Sequence, residues 1–168
     1  MTAMVYDFLA TPIGRLLLAG DAAGLRCIAF EDARQAGCIG AGWRHDAGAL
    51  RSAREQLAAW FAGELTVFDI ALAPQGTPFQ RAVWAQLQRL PYAGTISYGE
   101  LAQRLGRPAA RRAVGAANGA NPLPIVVPCH RVIGADGQLT GFGGGLALKR
   151  WLLQHERRHA APPFALAP

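Results

Sequence analysis

Short hydrophobic runs separated by turn-forming residues predict a small β-sheet in the first third of the chain. The runs cover residues 5–9, 16–20 and 25–30, and each gap between them contains Gly or Pro. A helix is expected over residues 49–62, because its apolar side chains recur at helical spacing and Gly63 ends the pattern.

Two further segments complete this N-terminal part. Residues 33–48 are rich in Gly and Ala and predict a loop. Beyond the helix, Thr66, Phe68, Ile70 and Leu72 occupy every second position, which predicts a half-buried strand. We therefore expect a small mixed β-sheet with one helix.

The pattern changes at residues 73–76, Ala-Pro-Gln-Gly, which we interpret as a linker. Thr77 followed by Pro78 is an N-cap and first-turn pair, so a helix is expected to begin there and to end before Pro91. A last helix is expected over residues 146–156 from its apolar spacing.

Two short helices are expected between those two. Ser97 and Glu100 have the spacing of a capping box and begin a helix that Gly106 ends. A second helix is expected over residues 109–118, followed by Gly119. Two short helices joined by a tight Gly-containing turn are typical of a helix-turn-helix.

The elements together predict an α+β chain of two domains and a tail. The N-terminal mixed β-sheet domain spans residues 1–73, and the mainly helical C-terminal domain spans residues 77–158. Residues 159–168 are expected to form a flexible tail. At 168 residues the chain can bury a core without disulfide bonds.

Charge is distributed unevenly between the two halves. Residues 1–75 contain 6 basic and 8 acidic side chains, whereas residues 76–168 contain 11 basic and 3 acidic ones. All basic residues except Lys149 are Arg, whose planar fork suits phosphates and base edges. A basic C-terminal half points to a polyanion, most simply nucleic acid.

Several classes of protein are disfavoured by the composition. No apolar stretch approaches the roughly 20 residues that span a bilayer, and the N-terminus does not read as a signal peptide. Three Cys is an odd number, which fits a reducing compartment better than a complete disulfide framework. We expect a cytoplasmic protein that does not associate with membranes.

Candidate chemistry lies at Cys129 and His130, directly after a Pro-flanked apolar run. A Cys thiolate is a strong nucleophile, and a neighbouring His can favour its formation. On an extended chain adjacent side chains point to opposite sides, so a bridging water would have to connect the two groups. Glu156, near the end of the last helix, is the candidate for orienting His130.

The segment around these residues resembles the active-site signature of the O6-alkylguanine-DNA alkyltransferase family. The resemblance runs from Thr77 to Glu156 and is strongest in the long run Asn-Pro-Leu-Pro-Ile-Val-Val-Pro-Cys-His-Arg-Val-Ile-Gly at residues 121–134. It also includes Ile-Ser-Tyr at residues 96–98 and Arg-Ala-Val-Gly-Ala-Ala-Asn-Gly at residues 112–119. The family implies a ribonuclease-H-like N-terminal domain and a winged-helix-like DNA-binding domain.

The resemblance also implies a function. A member binds double-stranded DNA, flips an O6-alkylguanine (or an O4-alkylthymine) out of the stack and moves the alkyl group onto its own Cys, once per molecule. Cofactors are not needed, and the protein is expected to act as a monomer. The implied catalytic residues are Cys129, His130, Glu156 and Tyr98.

The implied binding residues fall into two groups. Arg112 matches the finger that fills the gap left by the flipped base, and the same helix supplies further DNA contacts through Arg111, Ala113 and Gly115, together with Tyr98. The base pocket is expected to be formed by Asn121, Val132, Phe142 and Gly143.

The sequence departs from the family at three places. Arg111 stands where a small residue often precedes the finger, so its side chain is expected either to reach a phosphate or to point away from the DNA. Phe142 and Gly143 replace a Tyr and a Ser found in some members, so the pocket rim lacks two hydroxyl groups. Cys27, Cys38 and His45 are too few and too irregularly spaced for the zinc site of other members, so we expect no metal.

Two other functions compete with this one. A helix-turn-helix regulator would explain the basic half but not the Pro-Cys-His-Arg segment. A cysteine hydrolase built on Cys129, His130 and Glu156 would leave the basic half unexplained. Methyl transfer from O6-methylguanine DNA to Cys129 discriminates between all three.

Overall fold

The N-terminal domain is built on a four-stranded mixed sheet. The computed structural model describes residues 3–31 and 39–161. The sheet has the order β3-β2-β1-β4, with the strands β1 (Val5–Thr11), β2 (Gly14–Asp21), β3 (Gly24–Phe30) and β4 (Arg44–His45). The first three strands are antiparallel, as the hairpin turns require, and β4 pairs parallel with β1.

The first three predicted strands are confirmed, and the fourth strand was not predicted. β4 lies inside the segment 33–48 that we expected to be a loop. Two residues are too short to produce an alternating pattern, so nothing in the local sequence marks this strand. Residues 32–38 of the same segment lie outside the described part of the chain.

One face of the sheet packs against helix α1 (Arg51–Phe61), which confirms the predicted helix. Leu16 and Leu18 of β2 and Leu57 and Trp60 of α1 are fully buried in this core. Asp7 reaches the same face from β1, where its carboxylate accepts from His45 at 2.8 Å. The burial of the Leu and Trp side chains contributes more to stability than the Asp7–His45 pair, because buried apolar area is the main favourable term in folding.

The strand predicted over residues 66–72 is wrong. Only Leu72 forms a bridge, to Leu25 at the outer edge of β3. The backbone N–H and C=O of Asp69 instead pair with the side-chain amide of Gln56, at 2.7 and 2.8 Å. That amide satisfies the backbone groups of Asp69 that a sheet partner would otherwise pair, and it holds the segment against α1.

Four longer helices form most of the C-terminal domain. They are α2 (Pro78–Leu87), α3 (Tyr98–Arg104), α4 (Arg111–Gly119) and α5 (Leu146–His159). The capping boxes are present at Thr77 with Gln80 and at Ser97 with Glu100. Residues 105–110 connect α3 to α4, and these two helices pack against each other in the order expected of the helix-turn-helix.

The ends of α4 and α5 differ from the expectation. α4 begins at Arg111 and includes Gly119, which we had placed after its end. α5 continues to His159, the first residue of the predicted tail, because the His159 ring donates to the His155 carbonyl at 2.8 Å. Residues 162–168 of that tail lie outside the described chain.

The chain between α4 and α5 is mostly irregular and deeply buried. Ile125 adopts a positive φ of 76° and is 1% exposed. A short 3-10 turn, Cys129–Arg131, leads into β6 (Val132–Ile133), which pairs parallel with β5 (Ile96–Ser97). Pro residues exclude a regular helix from this run, as expected. Among the described residues, no helix has the length and apolarity to cross a bilayer.

Candidate active site and DNA-binding surface

Cys129 lies at the first position of the buried 3-10 turn and is 5% exposed. Its N–H donates to the Val127 carbonyl at 2.8 Å. The same carbonyl accepts from the amide of Asn121, also at 2.8 Å, so Asn121 braces the backbone that carries the thiol. Because this segment turns, the extended geometry that we expected for Cys129 and His130 is wrong.

Glu156 connects α5, to which it belongs, with the turn that carries Cys129 and His130. His130 Nε2 donates to Glu156 Oε1 at 2.8 Å, so the structure brings together the pair that the sequence suggested. Arg131 donates to the same carboxylate, from Nη2 to Oε1 at 2.7 Å and from Nε to Oε2 at 3.0 Å. His130 and Glu156 are fully buried, and Arg131 is 5% exposed.

Arg131 was missed by the sequence interpretation. A third nitrogen, Nη1, donates to the Leu90 carbonyl at 2.7 Å, which fixes the guanidinium between two elements. Arg is the side chain best suited to a buried carboxylate because its fork can bind both oxygens. The one sign of this role in the sequence was that Arg131 directly follows Cys129 and His130.

The electrostatics of this triad favour a neutral His130 and an ionised Glu156. Burial alone would raise the pKa of Glu156, but hydrogen bonds from His130 and Arg131 outweigh it and lower the pKa to about 2. Burial lowers the pKa of His130, although Glu156 opposes the shift. Since Nε2 donates to Glu156, the lone pair of neutral His130 lies on Nδ1, where the ring can accept a proton.

The thiol is protonated in the resting site. Burial raises the pKa of Cys129, and the Asn121 amide and the charge of Lys149 only partly counter it. The His130 Nδ1 atom is buried and has no hydrogen-bond partner among the described residues. The turn therefore carries a neutral thiol at Cys129 and a neutral imidazole at His130, and a thiolate forms only when the thiol proton is removed.

Lys149 is the second buried charged group that sequence reasoning missed. Its Nζ donates to the Val132 carbonyl at 2.6 Å and to the Thr140 carbonyl at 2.8 Å. Burial lowers its pKa, and the nearby Cys129 opposes that shift. This cation ties the turn that follows Cys129 to the loop before α5, and it favours negative charge on the sulfur.

A cavity of about 150 Å³ opens beside Cys129. Three of the four predicted pocket residues line it, namely Asn121, Phe142 and Gly143. Val132 is fully buried and is not among the lining residues. Asn118 of α4 lines the cavity and was not singled out from the sequence.

The N-terminal sheet supplies one wall of this cavity. Residues 27–30 of β3 line it, and the Ile28 N–H donates to the Pro122 carbonyl at 2.8 Å. The Phe30 ring packs on Phe142 with centroids 6.0 Å apart. No local motif predicts this contact, because the two rings are far apart in the sequence.

Four of the five predicted DNA-binding residues lie within the first five residues of α4, and the fifth, Tyr98, begins α3. Arg111, Arg112 and Ala113 are exposed, and Gly115 is half-buried under the Tyr98 ring. The Tyr98 hydroxyl donates to the Thr140 carbonyl at 3.2 Å, next to the loop that lines the cavity. Arg112 is thus presented to solvent, whereas the Arg111 guanidinium lies against Gly99 at the start of α3.

A metal centre finds no support in the part of the chain that the structure describes. Within residues 3–31 and 39–161 no group of three His, Cys, Asp or Glu side chains could hold a metal ion. Cys38, one of the candidate zinc ligands, lies outside those residues.

Both domains of the chain match models of one known protein family. Residues 4–74 match the ribonuclease-like domain of 6-O-methylguanine DNA methyltransferase, and residues 78–158 match its DNA-binding domain. This chain belongs to the 6-O-methylguanine DNA methyltransferase family. The fold expected from the resemblance, a small mixed sheet followed by a helical DNA-binding domain, is confirmed.

Members of the family match along nearly their whole length. A methylated-DNA–protein-cysteine methyltransferase of Mycolicibacterium paratuberculosis is 51% identical over 166 residues, which cover 96% of this chain and 97% of that protein. The enzyme of the same name from Methanosarcina acetivorans is 48% identical over 153 residues, covering 91% and 98%. A crystal structure of Mycobacterium tuberculosis OGT in complex with DNA superposes with a TM-score of 0.84 at 49% identity and covers 93% of this chain and 94% of that one.

Proposed function

We propose that this chain repairs DNA by moving the alkyl group of O6-alkylguanine onto Cys129. The observation that carries the proposal is the buried Glu156–His130 pair behind a Cys that opens into a small cavity. Family membership supplies the reaction, and the arrangement of these side chains supplies the residues that perform it.

The transfer needs a proton acceptor, because the resting thiol is neutral. His130 Nδ1 takes the thiol proton through a water molecule, while Glu156 stabilises the imidazolium that forms. The sulfur then attacks the alkyl carbon, an S–C bond forms, and the bond between that carbon and O6 breaks with its electron pair left on the base. The base regains one proton from His130, so guanine leaves neutral and Cys129 becomes a thioether.

The damaged base must leave the stack to reach the sulfur, since Cys129 is buried inside the cavity. We assign DNA contacts to Arg111, Arg112, Ala113, Gly115 and Tyr98. Arg112 is exposed on α4 and is proposed to occupy the vacated position, where its planar guanidinium can stack on the neighbouring bases. The base then lies among Asn121, Phe142 and Gly143, and we also assign Val132, which is fully buried, to the support of this pocket.

Other aspects of the function are also proposals. One chain contains the nucleophile, the base and the exposed Arg112, so we infer that it acts as a monomer and without a cofactor. O4-alkylthymine is a second substrate. Because the substrate is chromosomal DNA, we place the reaction in the cytoplasm of the cell.

Mass spectrometry tests the proposal directly. The protein is incubated with excess duplex DNA that carries one O6-methylguanine, and we expect a gain of one methyl group, located on Cys129. Cys129→Ser should bind the duplex and gain nothing, because a hydroxyl stays protonated at neutral pH. Repair of more than one equivalent, or methylation elsewhere, contradicts the mechanism, and DNA binding without transfer would favour a regulator.

A further inference from the structure

Trp60 brings the N-terminal domain into contact with the ring of His130. It lies in the last turn of α1 and is fully buried, as is His130. The centroids of the two rings are 6.3 Å apart and their planes meet at 73°, which is an edge-to-face arrangement. Aromatic rings attract each other at this separation and prefer this geometry to a flat sandwich. The imidazole is therefore held by a side chain of the other domain as well as by Glu156.

Trp60 also contacts the helix that carries Glu156. Its carbonyl accepts from Nε2 of His155 at 2.8 Å, and its ring packs on the His155 ring with centroids 4.6 Å apart. His155 directly precedes Glu156 on α5. One residue of α1 thus contacts both the imidazole and the neighbour of the carboxylate that binds it.

The orientation of the His130 ring depends on more than its hydrogen bond. Nε2 donates to Glu156 at 2.8 Å, which fixes one atom of the ring. The torsion that turns a His ring about its Cβ–Cγ bond has a broad range, so one hydrogen bond does not set the direction of Nδ1. Packing against the rigid indole of Trp60 narrows that range. Nδ1 is the atom that takes the thiol proton, so its direction matters for transfer.

The indole also determines how dry the imidazole is. The charged groups that act on His130 are Glu156 and Lys149 of α5 and Arg131 of the turn, whereas α1 contributes the uncharged Trp60. Burial is the largest influence and lowers the pKa of His130, Arg131 and Lys149 act in the same direction, and Glu156 opposes them. Removing the indole would admit water to the ring and bring its pKa back up toward 6.5.

We propose that Trp60 is a positioning residue for alkyl transfer, which holds the His130 ring in the orientation that takes the thiol proton and keeps water away from it. The inference rests on the function proposed above. Trp60 does not line the cavity beside Cys129, so it acts through His130 and not on the substrate. The N-terminal domain thereby contributes to the chemical step as well as to the wall of the cavity.

The pH dependence of transfer in Trp60→Leu tests the proposal. The full chain reacts in single turnover with duplex DNA that carries O6-methylguanine, over a range of protein concentrations and pH values. Transfer needs a neutral His130, so the rate rises with pH through the pKa of that ring. We expect the maximal rate to fall by about tenfold because the base is misplaced. The midpoint of the rise should move up by about one pH unit because water reaches the ring.

The half-saturating concentration separates this role from a defect in DNA binding. Trp60 is buried, so the concentration that gives half the maximal rate should stay at the wild-type value. Trp60→Phe keeps an aromatic ring and should recover most of the lost rate and of the shifted midpoint. Trp60→Met has no ring but a flexible side chain that fills irregular gaps, and it gives the same test as the Leu variant if that protein does not fold.

Phe61→Leu is the matched control. Phe61 is the next residue of α1, and its ring contacts Trp60, Trp151 and His155. Among the described residues, it makes no ring contact with His130. Its substitution should lower the free energy of unfolding and leave the maximal rate and the midpoint at their wild-type values.

The outcomes separate the two proposals. A wild-type rate and midpoint in a folded Trp60→Leu or Trp60→Met protein would overturn the role of Trp60, and so would the same shift in Phe61→Leu. Neither result touches the proposed function, which fails only if the wild-type protein gains no methyl group from O6-methylguanine.

Discussion

Arg131 binds the carboxylate of Glu156 with two nitrogens, at 2.7 Å from Nη2 to Oε1 and 3.0 Å from Nε to Oε2. The His130 ring donates to the same Oε1. Glu156 therefore stays ionised while it orients the ring, and the cation beside it keeps the imidazolium from passing its proton to the carboxylate. Arg131 is best described as a positioning residue that acts through Glu156.

Replacing Glu156 by Gln tests this arrangement. The neutral amide cannot stabilise the imidazolium, so we expect methyl transfer to slow by about 10²–10⁴-fold, the usual worth of general-base catalysis, with DNA affinity largely kept. The buried charge of Arg131 also loses its partner, and breaking such a pair costs about 3–5 kcal/mol of stability. Single-turnover rates and the free energy of unfolding must therefore be measured together.

Glu55→Gln serves as the control for that experiment. Glu55 is exposed on α1 and far along the chain from the active-site turn. Glu55→Gln should change neither the single-turnover transfer rate nor the free energy of unfolding. An unaltered transfer rate in a folded Glu156→Gln protein would remove Glu156 from the mechanism.

The stability of the protein should fall in acid in two stages. In the folded chain the pKa of His130 is lowered from 6.5 and that of Glu156 from 4.5 to about 2. Both groups bind protons more readily when unfolded, so their stabilisation is complete above the unfolded pKa and is lost below it. For Glu156 the loss between pH 4.5 and 2 is on the order of 3 kcal/mol.

Denaturant unfolding at a series of pH values measures this dependence. The wild-type free energy of unfolding should begin to fall below pH 6.5 and should fall more steeply below pH 4.5. Glu156→Gln should lack most of the second stage. A wild-type curve that is flat down to pH 3 contradicts the pKa shift of Glu156.

The sequence could predict the features that depend on residues close together in the chain. The N-cap at Thr77 and the capping box at Ser97 depend on residues within three positions of the helix start, and both form as expected. Glu156 was a candidate partner for His130 from the sequence, and the family resemblance implied the same pair, which the structure joins across 26 residues of chain. Spacing alone does not show which distant carboxylate an imidazole reaches.

Contacts between distant segments were missed for a physical reason. Lys149 is the chain's one Lys, yet only tertiary packing reveals that it is buried and donates to Val132. The wall that β3 contributes to the cavity depends on how the two domains pack. In the same way, nothing in the sequence indicated that the Gln56 amide pairs with the backbone of Asp69, inside the segment where alternation had predicted a strand.

Phe30 should limit the size of alkyl group that the cavity accepts. Its ring packs on Phe142, and both residues line the cavity beside Cys129. Phe30→Ala should open this wall and raise the rate with free O6-benzylguanine relative to free O6-methylguanine, by about tenfold. The loss of a buried Phe side chain also costs about 3–5 kcal/mol of stability, which lowers both rates together. The ratio of the two rates is therefore compared, and not either rate alone.

Phe61→Ala is the matched control for the size of the pocket. Phe61 is 9% exposed, against 8% for Phe30, and it packs on Trp60 and Trp151 away from the cavity. It should lower stability to a similar degree and leave the ratio of rates unchanged. The same change of ratio in both variants would mean that loss of stability, not the wall, determines the selectivity.

Arg112 should matter only when a base has to be flipped. It is exposed on α4, outside the cavity, and unstacking a base costs a few kcal/mol that a side chain filling the gap can offset. Arg112→Ala should therefore slow repair of duplex DNA by about 10- to 100-fold and leave the reaction with free O6-benzylguanine unchanged. Arg111→Ala is the comparison, because its guanidinium lies against Gly99 and should affect mainly salt-dependent affinity. Equal slowing of duplex and free base by Arg112→Ala would mean that the residue supports the fold or the pocket instead of the flipped state.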